Sequence, residues 1–85
     1  MYYIYIIESE KDSTFYIGFS SNIEERIFEH NMGRTRYTKS KRPWKLRYVE
    51  RFSTKTEALK RERSINKLKS HEYILRLIEN QNKGP

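Results

Sequence analysis

The chain contains no cysteine, which excludes a disulfide framework and any thiolate-held metal. Its two histidines are too few for an ordinary zinc site. No apolar run approaches the roughly 20 residues needed to cross a bilayer. Nor does a basic stretch followed by an apolar run open the chain, so the expected setting is cytoplasmic, with no membrane partner. Internal repeats and linkers are also lacking. What is present is short and polar: 85 residues, of which 35% are hydrophobic. That length makes one domain, expected over residues 1–80 with a frayed polar tail at 81–85, near the lower limit for folding without staples. Seven tyrosines, four phenylalanines and one tryptophan must therefore carry much of a thin core.

The net charge of +7 is unevenly placed. Between Asn31 and Val49 stand Arg34, Arg36, Lys39, Lys41, Arg42, Lys45 and Arg47, with no acid among them. Outside that segment the basic and acidic residues balance, so the whole excess lies in one stretch, interleaved with Tyr37, Trp44 and Tyr48. A charge run of this kind can be a solvated, solubilising loop. Concentration against a neutral remainder, with aromatics between the charges, points to a polyanionic partner such as nucleic acid.

Alternating aromatic and β-branched residues predict strands over Tyr2–Glu8 and Thr14–Ser20, joined as an antiparallel hairpin by the polar residues Ser9 to Ser13. Ser21-Asn22-Ile23-Glu24 reads as a capping box that opens a helix running to about Met32, with Gly33 as its stop. The basic segment follows as a long loop ended by Pro43, and a third strand is expected over Trp44–Phe52. A second capping box, Thr54-Lys55-Thr56-Glu57, opens a helix to about Lys69. Ser70 then caps a last helix with Tyr73, Ile74, Leu77 and Ile78 on one face. The order ββαβαα predicts an α+β domain: a small three-stranded antiparallel or mixed sheet flanked by helices.

Several polar residues fall where apolar ones are expected. On a helical projection Ala58, Leu59, Ile65 and Leu68 define an apolar arc, and Glu62 lies inside it. A carboxylate there is costly unless it is paired or holds a cation; the alternative is an edge position reaching Arg61 or solvent. Arg26 and His30, spaced i, i+4, share one side of the first helix at the margin of its apolar face. Each alone is commonly a snorkelling arginine or a half-buried histidine. Together they offer a phosphate-binding fork and a group that titrates near neutrality. Tyr5 and Tyr16 can be simple strand aromatics, but on a hairpin with an even-length link they are neighbours on one face. Gly18 on that face would leave room for a backbone or phosphate. A phenol can act as a base near neutrality only if its pKa of about 10 falls or its proton passes onward. Arg26 or a metal could lower it, and His30 could relay it.

Tyr3-Ile4-Tyr5, Tyr16-Ile17-Gly18, Arg26, His30 and Glu62, in that order, resemble the signature of the GIY-YIG nuclease superfamily. The resemblance spans nearly the whole chain and is similar to the small single-domain bacterial branch, which shares an Arg-Pro-Trp-x-Leu stretch, here Arg42-Pro43-Trp44-Lys45-Leu46. One departure is that Tyr3 stands where the signature has its first glycine. The resemblance implies the GIY-YIG fold and a magnesium- or manganese-dependent endonuclease that hydrolyses DNA phosphodiester bonds. It implies Tyr5 as general base, Tyr16 and Arg26 on the phosphate, His30 assisting proton transfer, and Glu62 holding one divalent ion. Arg34, Arg36, Lys39, Lys41, Arg42 and Lys45 would supply phosphate contacts, with Gly18 giving the strand access. With no residues left for a second, site-choosing module, little sequence specificity is expected, or targeting by a partner protein. Two other readings stand beside it: a non-catalytic nucleic-acid-binding module of the same fold, and an interaction domain for ribosomal or DNA-repair proteins.

Overall fold

The computed structural model describes residues 1–83. Strand β1 (Tyr2–Ser9) and strand β2 (Phe15–Ser20) form the expected hairpin. Helix α1 (Ile23–Asn31), a single-turn helix α2 (Arg36–Lys39), strand β3 (Trp44–Phe52) and helices α3 (Lys55–Leu68) and α4 (His71–Lys83) follow. The three strands form one wholly antiparallel sheet in the order β2-β1-β3. Among the described residues no helix is long and apolar enough to cross a membrane.

β1 is the central strand and is buried on both faces. Ile4, Ile6 and Ile7 are fully enclosed and Tyr5 is 1% exposed. Ile4 and Ile6 point into one layer with Ile17 and Tyr48, covered by Ala58 and Ile65 of α3 and Ile74 and Ile78 of α4. Tyr5 and Ile7 point into the other, with Trp44, Tyr16 and Val49 beneath Ile23 and Ile27 of α1. Each isoleucine buried in this way contributes roughly 1.5–3 kcal/mol, which is how a chain with few apolar residues holds two thin cores.

A bulge in β3 decides what joins the Tyr5 face. Val49 stands opposite Tyr5 and Trp44 opposite Ser9, yet the register slips between Ile6 and Ile7, which face Tyr48 and Leu46. Tyr5 and Ser9 share a face, whereas Val49 and Trp44, five residues apart, would not on an unbroken strand. The extra residue, Arg47, restores the parity and turns the indole of Trp44 to the same face as Tyr5.

The termini of the elements show which local signals hold. Asn22, not Ser21, caps α1: its side chain accepts from Glu25 N at 3.1 Å, and Ser20 Oγ in turn accepts from Asn22 N. Thr54 Oγ1 caps α3 as expected, accepting from Glu57 N, while its hydroxyl donates to the Glu57 carboxylate; Ser70 Oγ accepts from Tyr73 N. Gly33 ends α1 with φ +77°, a left-handed conformation that suits glycine. The basic stretch is not all loop, since α2 interrupts it. Leu68 is not part of the apolar arc, because at the last turn of α3 it lies 58% exposed. Helix α4 runs on past residue 80 to Lys83, and Gln81 bonds to both backbone groups of Val49, accepting from its N–H and donating to its carbonyl. Gly84 and Pro85 lie outside the described residues.

Candidate active site

Tyr5 and Tyr16 are diagonal neighbours on the α1-covered face, since Tyr5 pairs with Gly18 and Ile7 with Tyr16. Their rings lie 6.5 Å apart. Gly18 makes room, but for Tyr5: a Cβ there would stand 2.4 Å from the Tyr5 hydroxyl. The space expected to admit a phosphate therefore holds the phenol, which glycine lets lie flat across β2.

His30 is not at a margin. It is fully buried, beneath Tyr5 and edge-on to Tyr16 at 5.2 Å. Its Nε2 stands 2.8 Å from Tyr5 Oη and its Nδ1 2.7 Å from Thr38 Oγ1. Thr38, also fully buried, belongs to α2, and its hydroxyl donates to the Thr35 carbonyl at 3.3 Å. The Trp44 indole N–H donates to the Thr38 carbonyl at 2.9 Å, while Asn31 holds the Trp44 backbone from both sides. Sequence reading missed Thr38 altogether. It lies in the basic stretch, eight residues from His30, and no helical or strand periodicity links the two.

Arg26 is partly exposed and pairs with Glu29 at 3.1 Å, and its guanidinium also acts on the Tyr5 phenol. Burial pushes the Tyr5 pKa up to about 12; Arg26 opposes that rise, and the charges of Tyr16 and Glu62 add to it. Burial pushes His30 down to about 4, helped by the Arg26 charge and opposed by Glu29. Arginine thus does not bring the phenol into a range where it ionises unaided. One route that these residues offer is onward transfer of its proton to a neutral imidazole already in hydrogen-bond contact.

The low pKa of His30 has a consequence for stability. Unfolded, the imidazole takes a proton below its ordinary value of about 6.5; folded, it does so only near 4. The unfolded state therefore binds more protons between these values, so stability is full above about 6.5 and falls as pH drops towards 4. Denaturant melts from pH 7 to 4 should show that slope, and a His30→Gln variant should show a distinctly shallower one. Equal slopes would mean that the imidazole is protonated in the folded protein.

Glu62 is half-buried on α3, and its pKa is raised, first by burial, with Arg63 opposing. The neighbouring Arg61 is not its partner. Arg61 forms a two-pronged pair with Glu50, at 2.9 and 3.0 Å, and Glu50 also accepts from the Tyr48 hydroxyl. Among the described residues the Glu62 carboxylate makes no hydrogen bond or ion pair. A carboxylate half out of water and paired with no cationic side chain among the described residues suits a cation. Among the described residues no three potential ligands cluster, so the donor set fits an ion that keeps most of its water and leans on one carboxylate and a substrate phosphate, as Mg²⁺ and Mn²⁺ do.

The expected phosphate-binding residues divide. Arg34, Arg36 and Lys39 are exposed on and beside α2, with no acidic partner among the described residues. Lys41 is committed elsewhere, donating to Asp12 at 2.5 Å and to Thr14 of the hairpin turn. Lys45 lines a separate cleft with Glu8 and Glu10, whose charges offset its own. Arg42 and Lys39 instead rim a cleft of about 420 Å³ with Lys11, Asn31, Ser40 and Pro43. Lys11, which no charge run marked, is brought there by the hairpin turn. The ring of exposed Tyr37 lies 5.6 Å from that of Tyr16, tilted to it, at the edge of the site.

Known proteins resemble the chain over nearly its whole length. The family model described as the GIY-YIG catalytic domain matches residues 1–81. A UPF0213 protein of Staphylococcus saprophyticus is 49% identical over 78 residues, covering 91% of this chain and 93% of that relative. Another, from Syntrophus aciditrophicus, is 41% identical over 92% of this chain and 91% of its own length. The solution NMR structure of a UPF0213 protein from Bacillus halodurans superposes with a TM-score of 0.61 at 30% identity, covering all of this chain and 89% of that one.

Proposed function

The chain belongs to the GIY-YIG family, and from that premise we propose that it is a divalent-metal-dependent endonuclease that hydrolyses DNA phosphodiester bonds with little sequence preference. The observation that carries the reading is the buried contact between Tyr5 Oη and His30 Nε2 at 2.8 Å, near a Glu62 carboxylate without a partner among the described residues. A protein that only bound nucleic acid would need neither.

The attacking water lodges against the Tyr5 hydroxyl. As its oxygen closes on phosphorus, its proton goes to Tyr5 Oη and the Tyr5 proton goes to His30 Nε2, so the phenol never carries a full charge. Relaying the proton in this way avoids a free phenolate, which a pKa of about 12 would make scarce. The phosphorus–oxygen ester bond opposite the attack breaks, and the leaving alkoxide takes a proton from solvent. Arg26 holds a non-bridging oxygen, and Tyr16, beside both Tyr5 and His30, orients the phosphate. Glu62 would hold the ion; when bound, a hydrated divalent cation supplies positive charge to the phosphate and the leaving oxygen. Arg34, Arg36, Lys39 and Arg42 supply contacts to flanking phosphates, which position the strand without reading its bases.

The test is nicking of supercoiled plasmid and cleavage of labelled single strands, with Mg²⁺ or Mn²⁺ and with excess chelator. Cuts should appear only with the metal. DNA binding without cleavage under every metal condition would overturn the enzyme reading and leave a binding module.

A further inference from the structure

The relay works only if His30 Nε2 is bare before the reaction, because a protonated Nε2 cannot accept from Tyr5. A neutral imidazole has two tautomers, and nothing in its own chemistry enforces the required one. From the contacts around it we infer that Thr38 is a positioning residue that holds His30 in the Nδ1–H tautomer, so that Tyr5 faces an open lone pair. This rests on the reading of Tyr5 as general base.

Hydrogen-bond polarity makes the argument. Thr38 Oγ1 has one proton and lies within reach of two partners, His30 Nδ1 at 2.7 Å and the Thr35 carbonyl at 3.3 Å. The hydroxyl donates to the Thr35 carbonyl, and with its one proton placed there its oxygen is left to accept from His30 Nδ1–H. The Nε2 of that tautomer can only accept, so the Tyr5 proton turns to it across the 2.8 Å contact. The chain then runs one way: Tyr5 O–H to His30 Nε2, Nδ1–H to Thr38 Oγ1, Oγ1–H to the Thr35 carbonyl. His30 and Thr38 are fully buried, so water does not compete for the protons at Nδ1 and Oγ1. The reverse tautomer would put two donors against each other at Nε2 or force the Thr38 hydroxyl off Thr35.

Thr38 is itself held in place. Its carbonyl accepts from the Trp44 indole, which Asn31 and the β3 bulge set in position. α2 thereby places its hydroxyl at His30 while offering Arg36 and Lys39 to solvent on its other side.

The experiment is ¹⁵N NMR of the imidazole nitrogens at pH 7, joined to kinetics of Thr38→Val and Thr38→Ser. The parent protein should show a protonated Nδ1 and a bare Nε2 at His30. Thr38→Val, which keeps shape and loses the hydroxyl, should show mixed tautomers. Its kcat should fall by about tenfold or more with KM for DNA unchanged, the effect expected from an unset catalytic histidine. Thr38→Ser should recover the parent tautomer and most of the rate. A protonated Nε2 in the parent protein would overturn the inference, as would Thr38→Val with an unchanged tautomer or kcat. Should Thr38→Val not fold, the parent spectrum and the serine variant decide. If the parent cuts no DNA, the tautomers still report on Thr38 while the enzyme reading fails separately.

Discussion

Glu62→Gln should abolish divalent-dependent cleavage while leaving the fold intact. The amide keeps the volume of the side chain and removes the one charge available to hold an ion. The carboxylate has no partner to orphan among the described residues, and its pKa is raised by burial, so neutralising it removes an unfavourable desolvated charge. Thermal stability should therefore hold or rise slightly, and DNA affinity in chelator should be unchanged. Cleavage should fall below detection with Mg²⁺ and Mn²⁺, a loss of several orders of magnitude when charge stabilisation of the leaving oxygen disappears. Parent and variant cutting at equal rates would sink the assignment of Glu62. A variant that failed to fold would return the residue to a structural role.

Tyr5→Phe should lower single-turnover cleavage by about 100-fold or more, with DNA affinity little altered. The ring survives, so the packing under α1 and over Gly18 is kept. The variant also strips His30 Nε2 of its hydrogen-bond partner inside the core, which costs on the order of 1–3 kcal/mol of stability. Rates must therefore be compared well below the melting temperature of the variant. A defect in affinity alone would make Tyr5 a binding residue. An unchanged rate with lowered stability would leave it a core aromatic.

Much of the fold is legible in the sequence because the signals are local. Alternation in β1 and β2, the Thr54–Glu57 box and the Ser70 cap each depend on residues within a few positions of one another, and each element appears where they place it. The first-helix cap is displaced by one residue because Ser20 ties itself to Asn22, a local competition that a capping pattern does not weigh. The site is legible in part for the same reason. The Tyr5–Tyr16 face follows from strand parity only because Glu8 pairs with Phe15, leaving six residues between them where the expected strand bounds leave five; Glu62 follows from its projection on α3. His30, projected to a margin, is enclosed because Tyr5, Tyr16 and Thr38 converge on it from three other segments. Charge counting likewise could not see that Lys41 belongs to Asp12, or that the hairpin turn carries Lys11 into the cationic cleft.

The Gln81 clamp bears on how the open edge of a three-stranded sheet is closed. A strand on the outside of a sheet offers a row of unclaimed donors and acceptors to any passing extended chain. β3 is such a strand, and Val49, opposite Tyr5, turns its N–H and carbonyl outward. The Gln81 amide occupies both, doing with a side chain what a neighbouring strand would do with its backbone. The last turn of α4 is therefore a guard against edge-to-edge pairing, placed one residue position across the sheet from the phenol on which the proposed chemistry turns.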